Sequence, residues 1–323
     1  MKRRILLTLC ALLGALAAPA HGDSFPSKPI RLVVPFNPGG SVDALARKLA
    51  PGLGTRLGAS VLVENKAGGN TVIASQYVAN ASPDGYTLYV TLSAPYSILP
   101  SLYKRPLPYD PKTGFTHIGI AAEIIYGLAV SSETKIGTVR EYVDFAKKNP
   151  GRLTYGSTGP GQALTLSMEL LKAKLEIDTL HVPFTGQAPV AAAMLGGQVD
   201  SAMMDVGLSE QHIKTGKMRM LALASNARSP LLPDVPTLRE AGVALDIPPL
   251  WIGLVGPKGI PQPIVERLND ALDKEMRTPQ MLTWLTGAAL APMTSTPKQM
   301  SERIASETQV WSGVIRQLGV SLD

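Results

Sequence analysis

Short β-rich runs alternate with helical stretches along most of the chain. In chain order the runs are residues 30–34, 61–63, 86–90, 128–130, 199–204 and 218–224. Such alternation is typical of parallel sheets flanked by helices. The last run is apolar apart from Arg219, as is typical of a strand that is buried on both faces. We therefore predict an α/β fold.

Helical patterns fill the stretches between these runs and dominate the C-terminal end. A helix is predicted from about Ser41, and we expect Pro51 to kink or end it, because proline lacks the helical N–H. Two apolar stripes at helical spacing lie near the C terminus. They consist of Ile264, Leu268, Ala271, Leu272 and Met276, and of Trp311, Val314, Ile315 and Leu318. We assign both stripes to the core.

The proline-rich segment 229–249 is the best candidate for a crossing between two domains. The C-terminal helices would then return to the first domain, so that the chain crosses between the domains twice. Two crossings form a hinge that opens and closes without unfolding either half. The predicted division is residues 24–125 plus 250–323 for lobe 1 and residues 126–249 for lobe 2.

The N-terminal residues have the pattern of a secretory signal peptide. Lys2, Arg3 and Arg4 precede an apolar run that ends in small residues, which predicts cleavage after about Ala20. The run is shorter than the roughly 20 apolar residues of a spanning helix. A lipoprotein would use Cys10, but Leu9 is too large for the residue before a lipidated cysteine. We therefore predict export to the periplasm.

Cleavage after residue 20 changes the charge and the cysteine content of the mature chain. It removes three positive charges, so the formal net charge of +6 falls to +3. The single cysteine is also removed, which excludes a structural disulfide in the mature protein. No run of basic residues interleaved with aromatic residues is present, and we predict no nucleic-acid partner.

One pattern of predicted elements occurs twice: a strand, then a glycine-rich turn, then a helix. It covers residues 33–43 and again residues 153–162. Each copy would present backbone N–H groups at a helix N-terminus, where a carboxylate or phosphate is stabilised. Neither turn matches a dinucleotide or P-loop motif. On spacing alone, ordinary structural turns and ligand-binding turns both remain open.

The sequence also resembles the Bug receptors, the solute-binding proteins of tripartite tricarboxylate transporters. The matching segments are FPSKPIR at 25–31, VPFNPGG at 34–40, VENKAGG at 63–69, PDGYTL at 83–88, YGS at 155–157, HVPF at 181–184 and GGQVD at 196–200. Trp251, Gly253 and Pro257 continue the match towards the C terminus. The resemblance therefore spans essentially the whole mature chain.

This resemblance implies a periplasmic binding protein of type II, with two lobes that each hold a mixed, mostly parallel sheet flanked by helices. It implies capture of a small organic acid, whether a dicarboxylate, an amino acid or an aromatic acid. It also implies that the turns matching residues 36–43 and 157–162 contact the ligand from opposite lobes, and that Asp205 lies in the cleft. Two positions depart from the family pattern, since Gln162 replaces a serine and Thr165 a histidine.

The predicted site combines these turns with nearby polar and aromatic residues. The predicted ligand-binding residues are Phe36, Pro38, Gly39, Gly40, Ser41, Asp43, Ser93, Ser157, Thr158, Gly159, Gln162, Phe184 and Asp205, and Tyr96 is a further candidate for the wall. For Asp43, helix capping with pairing to Arg47 and a role in the cleft both remain open. His181 is interpreted as a structural hydrogen-bonding residue.

These residues favour a binding protein over an enzyme. We predict no catalytic residues, because the sequence contains no recognisable combination of a nucleophile, a base and an oxyanion site. We also predict no cofactor and no metal site. The predicted partners are a small organic acid and inner-membrane transporter subunits, and the predicted oligomeric state is a monomer. Two alternatives are a ligand-responsive partner of a two-component sensor kinase and a periplasmic hydrolase.

Overall fold

A computed structural model describes residues 25–225, 227–243, 245 and 248–323. The predicted signal peptide and its cleavage site lie outside the described residues. The described strands form one six-stranded and one five-stranded sheet. Within the described residues, no helix is both long and apolar enough to cross a membrane.

The first sheet takes its strands from both ends of the chain. Its strands are β1 (Ile30–Val34), β2 (Val61–Asn65), β3 (Thr87–Thr91), β4 (Phe115–Ile124), β10 (Leu250–Pro257) and β11 (Leu290–Pro292). Their spatial order is β11-β4-β10-β3-β1-β2. β1 runs parallel to β2 and β3, whereas β10 is antiparallel to both of its neighbours.

The second sheet is built from the middle of the chain. Its strands are β5 (Tyr126–Ser131), β6 (Thr154–Ser157), β7 (Leu180–Pro183), β8 (Ser201–Asp205) and β9 (Met218–Leu223). Their spatial order is β7-β6-β8-β5-β9. β6 runs parallel to β7 and β8, and β5 is antiparallel to β8 and β9.

Helices connect and cover the two sheets. They are α1 (Ser41–Leu57), α2 (Val72–Ala79), α3 (Leu99–Leu102), α4 (Val139–Lys148), α5 (Ala163–Leu175), α6 (Gln187–Leu195), α7 (Val206–Lys214), α8 (Gln262–Met276), α9 (Pro279–Gly287) and α10 (Pro297–Leu318). Short helical turns lie at Gly69–Thr71, Ala94–Ile98 and Ser132–Thr134. The predicted start of the first helix at Ser41 is confirmed.

Three expectations about the elements were wrong or incomplete. Pro51 does not end α1, which continues to Leu57: residues on both sides of the proline, Leu49 and Leu53, are buried, and their packing stabilises the helix despite the missing N–H. The predicted mixed sheets flanked by helices are confirmed, but parallel pairings do not predominate: three of five pairings in the first sheet and two of four in the second are antiparallel. The strands β4 and β10 were not predicted. All eight residues of β10 are buried, so no polar alternation marks it.

The chain passes between the sheets twice. Ile125 alone separates β4 from β5, and residues 224–249 lead from β9 back to β10. After this return, α8 packs on the first sheet, where Asn269 Nδ2 donates to the Ile118 carbonyl at 2.8 Å. The fold is thus α/β with two connections between its halves. The bounds of the lobes, 24–125 plus 250–323 and 126–249, stay a prediction.

Candidate binding cleft

A cavity of about 590 Å³, including the part that opens to solvent, lies between the two sheets. Its lining includes the first residues of α1, α5 and α6 and the residue before α7. Because the first N–H groups of a helix have no intrahelical acceptor, this arrangement directs several backbone donors and helix dipoles at one space.

Asp43 stabilises the first glycine-rich turn, which lies between β1 and α1 and is called the first turn below. Gly39 has a φ of +101°, which favours glycine, and its N–H donates to Asp43 Oδ2 at 3.0 Å. Arg47 Nε donates to the same oxygen at 3.0 Å, and Asn65 Nδ2 donates to Asp43 Oδ1 at 2.8 Å. The predicted pairing of Asp43 with Arg47 is therefore confirmed. Both carboxylate oxygens are occupied by protein donors.

These bonds also set the ionisation of Asp43. Desolvation alone would raise the pKa of this carboxyl, but hydrogen bonds from Arg47, Asn65 and the Gly39 N–H together hold the pKa below its ordinary value. Asp43 therefore stays ionised at neutral pH. Its charge is neutralised within the first lobe and supports the turn.

Gly40 is the residue immediately before α1, and it has no side-chain cap. Its φ of −84° and ψ of 169° are open to any residue, and a Cβ added there would meet no heavy atom within 4 Å. Gly40 also lines the cavity. The glycine therefore leaves open space beside the N–H groups of α1, where a ligand oxygen can approach the backbone closely.

The second turn begins at Ser157, at the end of β6. Ser157 Oγ lies 2.5 Å from His181 Nε2 and accepts from the Gly159 N–H at 3.2 Å. Thr165 Oγ1 donates to the Gly159 carbonyl at 2.6 Å, which ties the turn to α5. Burial lowers the pKa of His181, so its imidazole is neutral at neutral pH. The interpretation of His181 as a structural hydrogen-bonding residue agrees with this geometry.

Gln162 is the residue immediately before α5 and is only 3% exposed. Its side chain lines the cavity, and its Nε2 has no hydrogen-bond partner among the described residues. A buried amide donor without a partner is unfavourable. Gln162 therefore supplies a donor that a ligand oxygen would satisfy.

Asp205 ends β8 and lines the cavity opposite the first turn. It is 4% exposed, and its Oδ1 has no hydrogen-bond partner within the described part of the chain. Desolvation raises the pKa of Asp205 to about 6, and the Ser41 hydroxyl opposes this with a smaller effect. The Asp205 N–H donates to Gln187 Oε1 at 3.3 Å.

The charged residues that line the cavity are Asp43 and Asp205 only, among the residues described. No lysine, arginine or histidine belongs to this part of the wall. The remaining wall is largely apolar, with Phe36, Leu92 and Leu164 among its members. An anion would therefore be held by neutral N–H donors and helix dipoles instead of by a basic side chain.

The two halves touch across the cleft. Asn37 Nδ2, from the first turn, donates to Thr185 Oγ1 of the second half at 2.8 Å. A Cβ added to Gly161, just before α5, would lie 2.6 Å from Leu99 Cδ2 of the first half. The structure therefore shows a closed arrangement in which glycine permits close contact between the lobes.

The structure brings together part of the predicted site. The predicted residues that line the main cavity are Phe36, Gly40, Ser41, Asp43, Ser93, Thr158, Gln162 and Asp205. Gly159 and Phe184 line an adjoining cavity of about 560 Å³, which shares Phe36, Thr158 and Gln162 with the first. The role of each residue in binding stays a prediction.

Four candidates lie outside both linings. Pro38 is exposed, and Gly39 contributes to the first turn through its positive φ and its N–H bond to Asp43. Ser157 is buried under the second turn against His181. Tyr96 packs edge-on against Phe115 in the core of the first lobe.

Sequence reasoning missed several residues of the wall. Asn37 and Gln187 line the main cavity, and Asn70 and Thr71 line the adjoining one. Gln187 follows Gly186 at the start of α6, so the turn-and-helix pattern could have found it. Asn70 and Thr71 have positive φ values of 51° and 77°, a backbone feature that their residue types do not reveal.

Neither a metal centre nor a catalytic constellation emerges from the described part of the structure. No group of three or more His, Cys, Asp or Glu residues there could hold a metal ion. His181 stacks on the Tyr155 ring, with 4.8 Å between the ring centroids, and its Nε2 faces Ser157. Because Ser157 is buried beneath the turn, this pair supports the loop.

Two α/β halves that close over a cleft lined by helix N-termini define the class of two-lobed solute-binding receptors. The comparison with known sequences gives the particular family. The family described as "Tripartite tricarboxylate transporter family receptor" matches residues 45–320. The chain belongs to this family, and the predicted resemblance is confirmed.

A relative from Cupriavidus necator, "UPF0065 protein in gbd 5'region", is 36% identical over 309 residues. The match covers 96% of this chain and 93% of the relative. The periplasmic binding protein BugD has a similar structure, with 30% identity and a TM-score of 0.87, covering 92% of this chain and 99% of BugD.

Two further solved structures carry ligands. R. palustris Rpa4515 was solved with adipate; it is 29% identical with a TM-score of 0.88, and the match covers 92% of this chain and 99% of that protein. MatC of Rhodopseudomonas palustris was solved with bound malate; it is 29% identical with a TM-score of 0.85, and the match covers 90% of this chain and 100% of MatC. These similarities confirm the predicted binding-protein fold.

Proposed function

We propose that this protein is a periplasmic receptor that captures a small carboxylate in its cleft and delivers it to the membrane subunits of a tripartite tricarboxylate-type transporter. The observation that supports it most is the convergence of helix N-termini and the unpartnered Gln162 amide on one cavity between the lobes. Family membership supports the transporter partner.

The similar proteins support the ligand class. Adipate and malate, the ligands of the two R. palustris proteins, are small carboxylates. In this chain the carboxylate would lie between the N–H groups at Gly40 and Ser41 on one side and the Ala163 N–H and the Gln162 side-chain amide on the other. Contacts to both turns at once stabilise the closed form, so binding and closure are coupled.

In this proposal the protein binds its ligand without changing it and acts as a monomer. Delivery to a transporter requires that the closed lobes form the docking surface. A two-component sensor kinase would use the same surface, but the family match favours the transporter. Export with removal of residues 1–20 would place the receptor in the periplasm.

The test is ligand binding by the chain from Asp23 onwards, which lacks the predicted signal peptide. The protein is unfolded and refolded to remove retained ligand, and the midpoint of thermal unfolding is then recorded with carboxylic acids and with their amides. The expected result is that at least one acid raises the midpoint and its amide does not, since the amide lacks the charge that the helix dipoles stabilise.

Chemical analysis of the acid after incubation separates a receptor from an enzyme. An unchanged acid supports the proposal, whereas turnover contradicts it. If no acid stabilises the protein, the two turns are structural and the proposed function is wrong. Co-purification of transporter membrane subunits with the ligand-loaded protein, and not with the free protein, tests the partner.

A further inference from the structure

Asp205 is the feature of the cleft that carboxylate capture alone does not explain. A buried carboxylate opposes a ligand carboxylate, because like charges repel strongly where water is excluded. Two arrangements avoid this conflict: Asp205 takes up a proton, or a positively charged or neutral donor of the ligand occupies its free oxygen. The burial of Asp205 and its unpartnered Oδ1 require one of the two.

The groups that face Asp205 show that the protein itself does not supply the missing donor. On the neighbouring strand the opposite residue is Tyr126, whose hydroxyl pairs with Ser167. From α6, Gln187 uses its Oε1 for the Asp205 N–H and its Nε2 for the Met203 carbonyl. Among the described residues, the Ser41 hydroxyl is therefore the one side-chain donor that reaches the Asp205 carboxyl, and Oδ1 is left without a hydrogen bond.

The position of Asp205 also limits where that donor can lie on the ligand. The Ser41 hydroxyl interacts with the Asp205 carboxyl, and Ser41 is the first residue of α1, in the turn that would receive the ligand carboxylate. The donor and the carboxylate of the ligand must therefore be close neighbours. An α-amino acid has this arrangement, with its ammonium group one carbon away from its carboxylate.

The rest of the wall indicates the side chain of the ligand. Beyond the two aspartates the lining is uncharged, and the apolar residues Phe36, Leu92, Ile124, Leu164 and Leu250 surround the space. Arg47 does not line the cavity, and its guanidinium is bonded to Asp43 and Asn65. A second carboxylate on the ligand would lack a cation and would add a charge to a largely apolar wall.

We propose that the ligand is an α-amino acid with an uncharged side chain, whose ammonium group binds Asp205 while its carboxylate binds the two glycine turns. This inference rests on the proposed receptor function and narrows it. Asp205 is the residue that selects amino acids over plain carboxylates and dicarboxylates. The pair of turns supplies the affinity for the carboxylate that all three classes share.

The experiment compares ligands that differ in one group, by isothermal titration calorimetry with the refolded mature chain. Alanine, valine, leucine and phenylalanine are each paired with the same acid without the amine: propionate, 3-methylbutanoate, 4-methylpentanoate and 3-phenylpropanoate. Succinate, glutarate, adipate, malate, aspartate and glutamate complete the panel. At pH 7.5 at least one amino acid is expected to bind about 30-fold or more tighter than its partner acid.

The variant Asp205→Asn tests the residue itself. Asparagine has nearly the same shape but no charge, so it is expected to remove most of the preference for the amine: binding of the amino acid weakens, and binding of the plain acid strengthens because the repulsion is lost. The matched control is Asp234→Asn, an exposed aspartate outside the cavity, which leaves the preference intact. Thermal unfolding of each free variant shows that it is folded.

The pH dependence gives an independent readout. Lowering the pH to 5 protonates Asp205, whose pKa is about 6, and is expected to weaken binding of the amino acid. Dicarboxylate binding would instead strengthen. The other cleft carboxylate, Asp43, stays ionised because its pKa is lowered, and Tyr126 stays neutral because its pKa is about 12.

Three outcomes would overturn the inference and leave the proposed function intact. These are equal affinity for an amino acid and its partner acid, tightest binding of a dicarboxylate including aspartate or glutamate, and an unchanged preference in Asp205→Asn. Failure of every acid in the panel, amino acids included, would instead contradict the proposed function itself.

Discussion

Gly40→Val is the most direct test of the idea that a ligand approaches the backbone of the first turn. The backbone angles at Gly40 are open to valine, and no heavy atom lies within 4 Å of the new Cβ. The fold should therefore tolerate the change. Valine is a poorer residue than glycine at this position of a helix, and we expect a loss of about 1 kcal/mol of unfolding free energy or less.

The effect on binding should be much larger than the effect on folding. The valine side chain would occupy the space beside the first N–H groups of α1 and keep a ligand carboxylate away from them. A hydrogen bond to a charged group contributes about 1.5–3 kcal/mol, so the loss of one such contact weakens binding by roughly tenfold to more than a hundredfold. Loss of two contacts would abolish measurable binding.

The assay is calorimetric titration of the acid that binds wild-type protein, with the unfolding midpoint of each free variant measured beside it. Gly287→Val is a matched control, because its Cβ would also meet nothing within 4 Å and it ends α9, outside the lining of the cavity. Gly40→Val with wild-type affinity would refute the placement of the ligand against the first turn. A collapse in the unfolding midpoint would refute the structural reasoning about Gly40.

Three other predictions concern closure, charge and the core. Gly161→Ala should weaken ligand binding about tenfold or more, because the new Cβ would lie 2.6 Å from Leu99 Cδ2 in the closed form. Leu99→Ala should restore part of this affinity in the double variant. If calorimetric titrations show that the losses of binding free energy of the two single variants simply add, the prediction is wrong. Asp205→Asn should stabilise the ligand-free protein at pH 7.5, because the pKa of Asp205 is raised to about 6 in the folded protein and its ionised form is therefore unfavourable above that pH. In urea unfolding the free energy of unfolding of the variant should exceed that of the wild type by up to about 3 kcal/mol at pH 7.5 and by little at pH 4. A difference that is the same at both pH values would contradict this prediction. Glu307→Ala should lower the free energy of unfolding, measured in urea, by about 3 kcal/mol. The reason is that buried Glu307 accepts a hydrogen bond from Trp251 Nε1 at 2.9 Å and pairs with Arg303 at 2.8 Å. A decrease of less than about 1 kcal/mol would show that this network does not stabilise the fold.

The sequence predicted the elements around the cleft well because their signals are local. The run Ile30–Val34, the start of α1 at Ser41 and the glycine turns are each encoded within about ten residues. The amphipathic stripe after Pro263 also corresponds to a helix, α8. Turns and helix starts of this kind depend on backbone preferences of individual residues, which single-sequence reasoning can use.

What the sequence did not reveal depends on contacts between distant segments. β10 lies between β3 and β4, and its direction follows from the return of the chain to the first lobe. The partners of Asp43 could be anticipated only for Arg47, one helical turn away, and not for Asn65, which lies on a neighbouring strand. Likewise, the isolation of Asp205 Oδ1 appears only when the second lobe is assembled.

The two turns show how one local motif acquires two different supports. The first is held by an ionised carboxylate that gathers Gly39, Arg47 and Asn65, whereas the second is held by the neutral pair of Ser157 and His181. Both networks fix the direction of the N–H donors before a ligand arrives, so that less conformational freedom is lost on binding. Because the described lining of the cavity contains no basic side chain, affinity then depends on both turns reaching the ligand together. Opening of the lobes removes one set of donors and weakens binding, which is the property that a receptor needs in order to release its ligand.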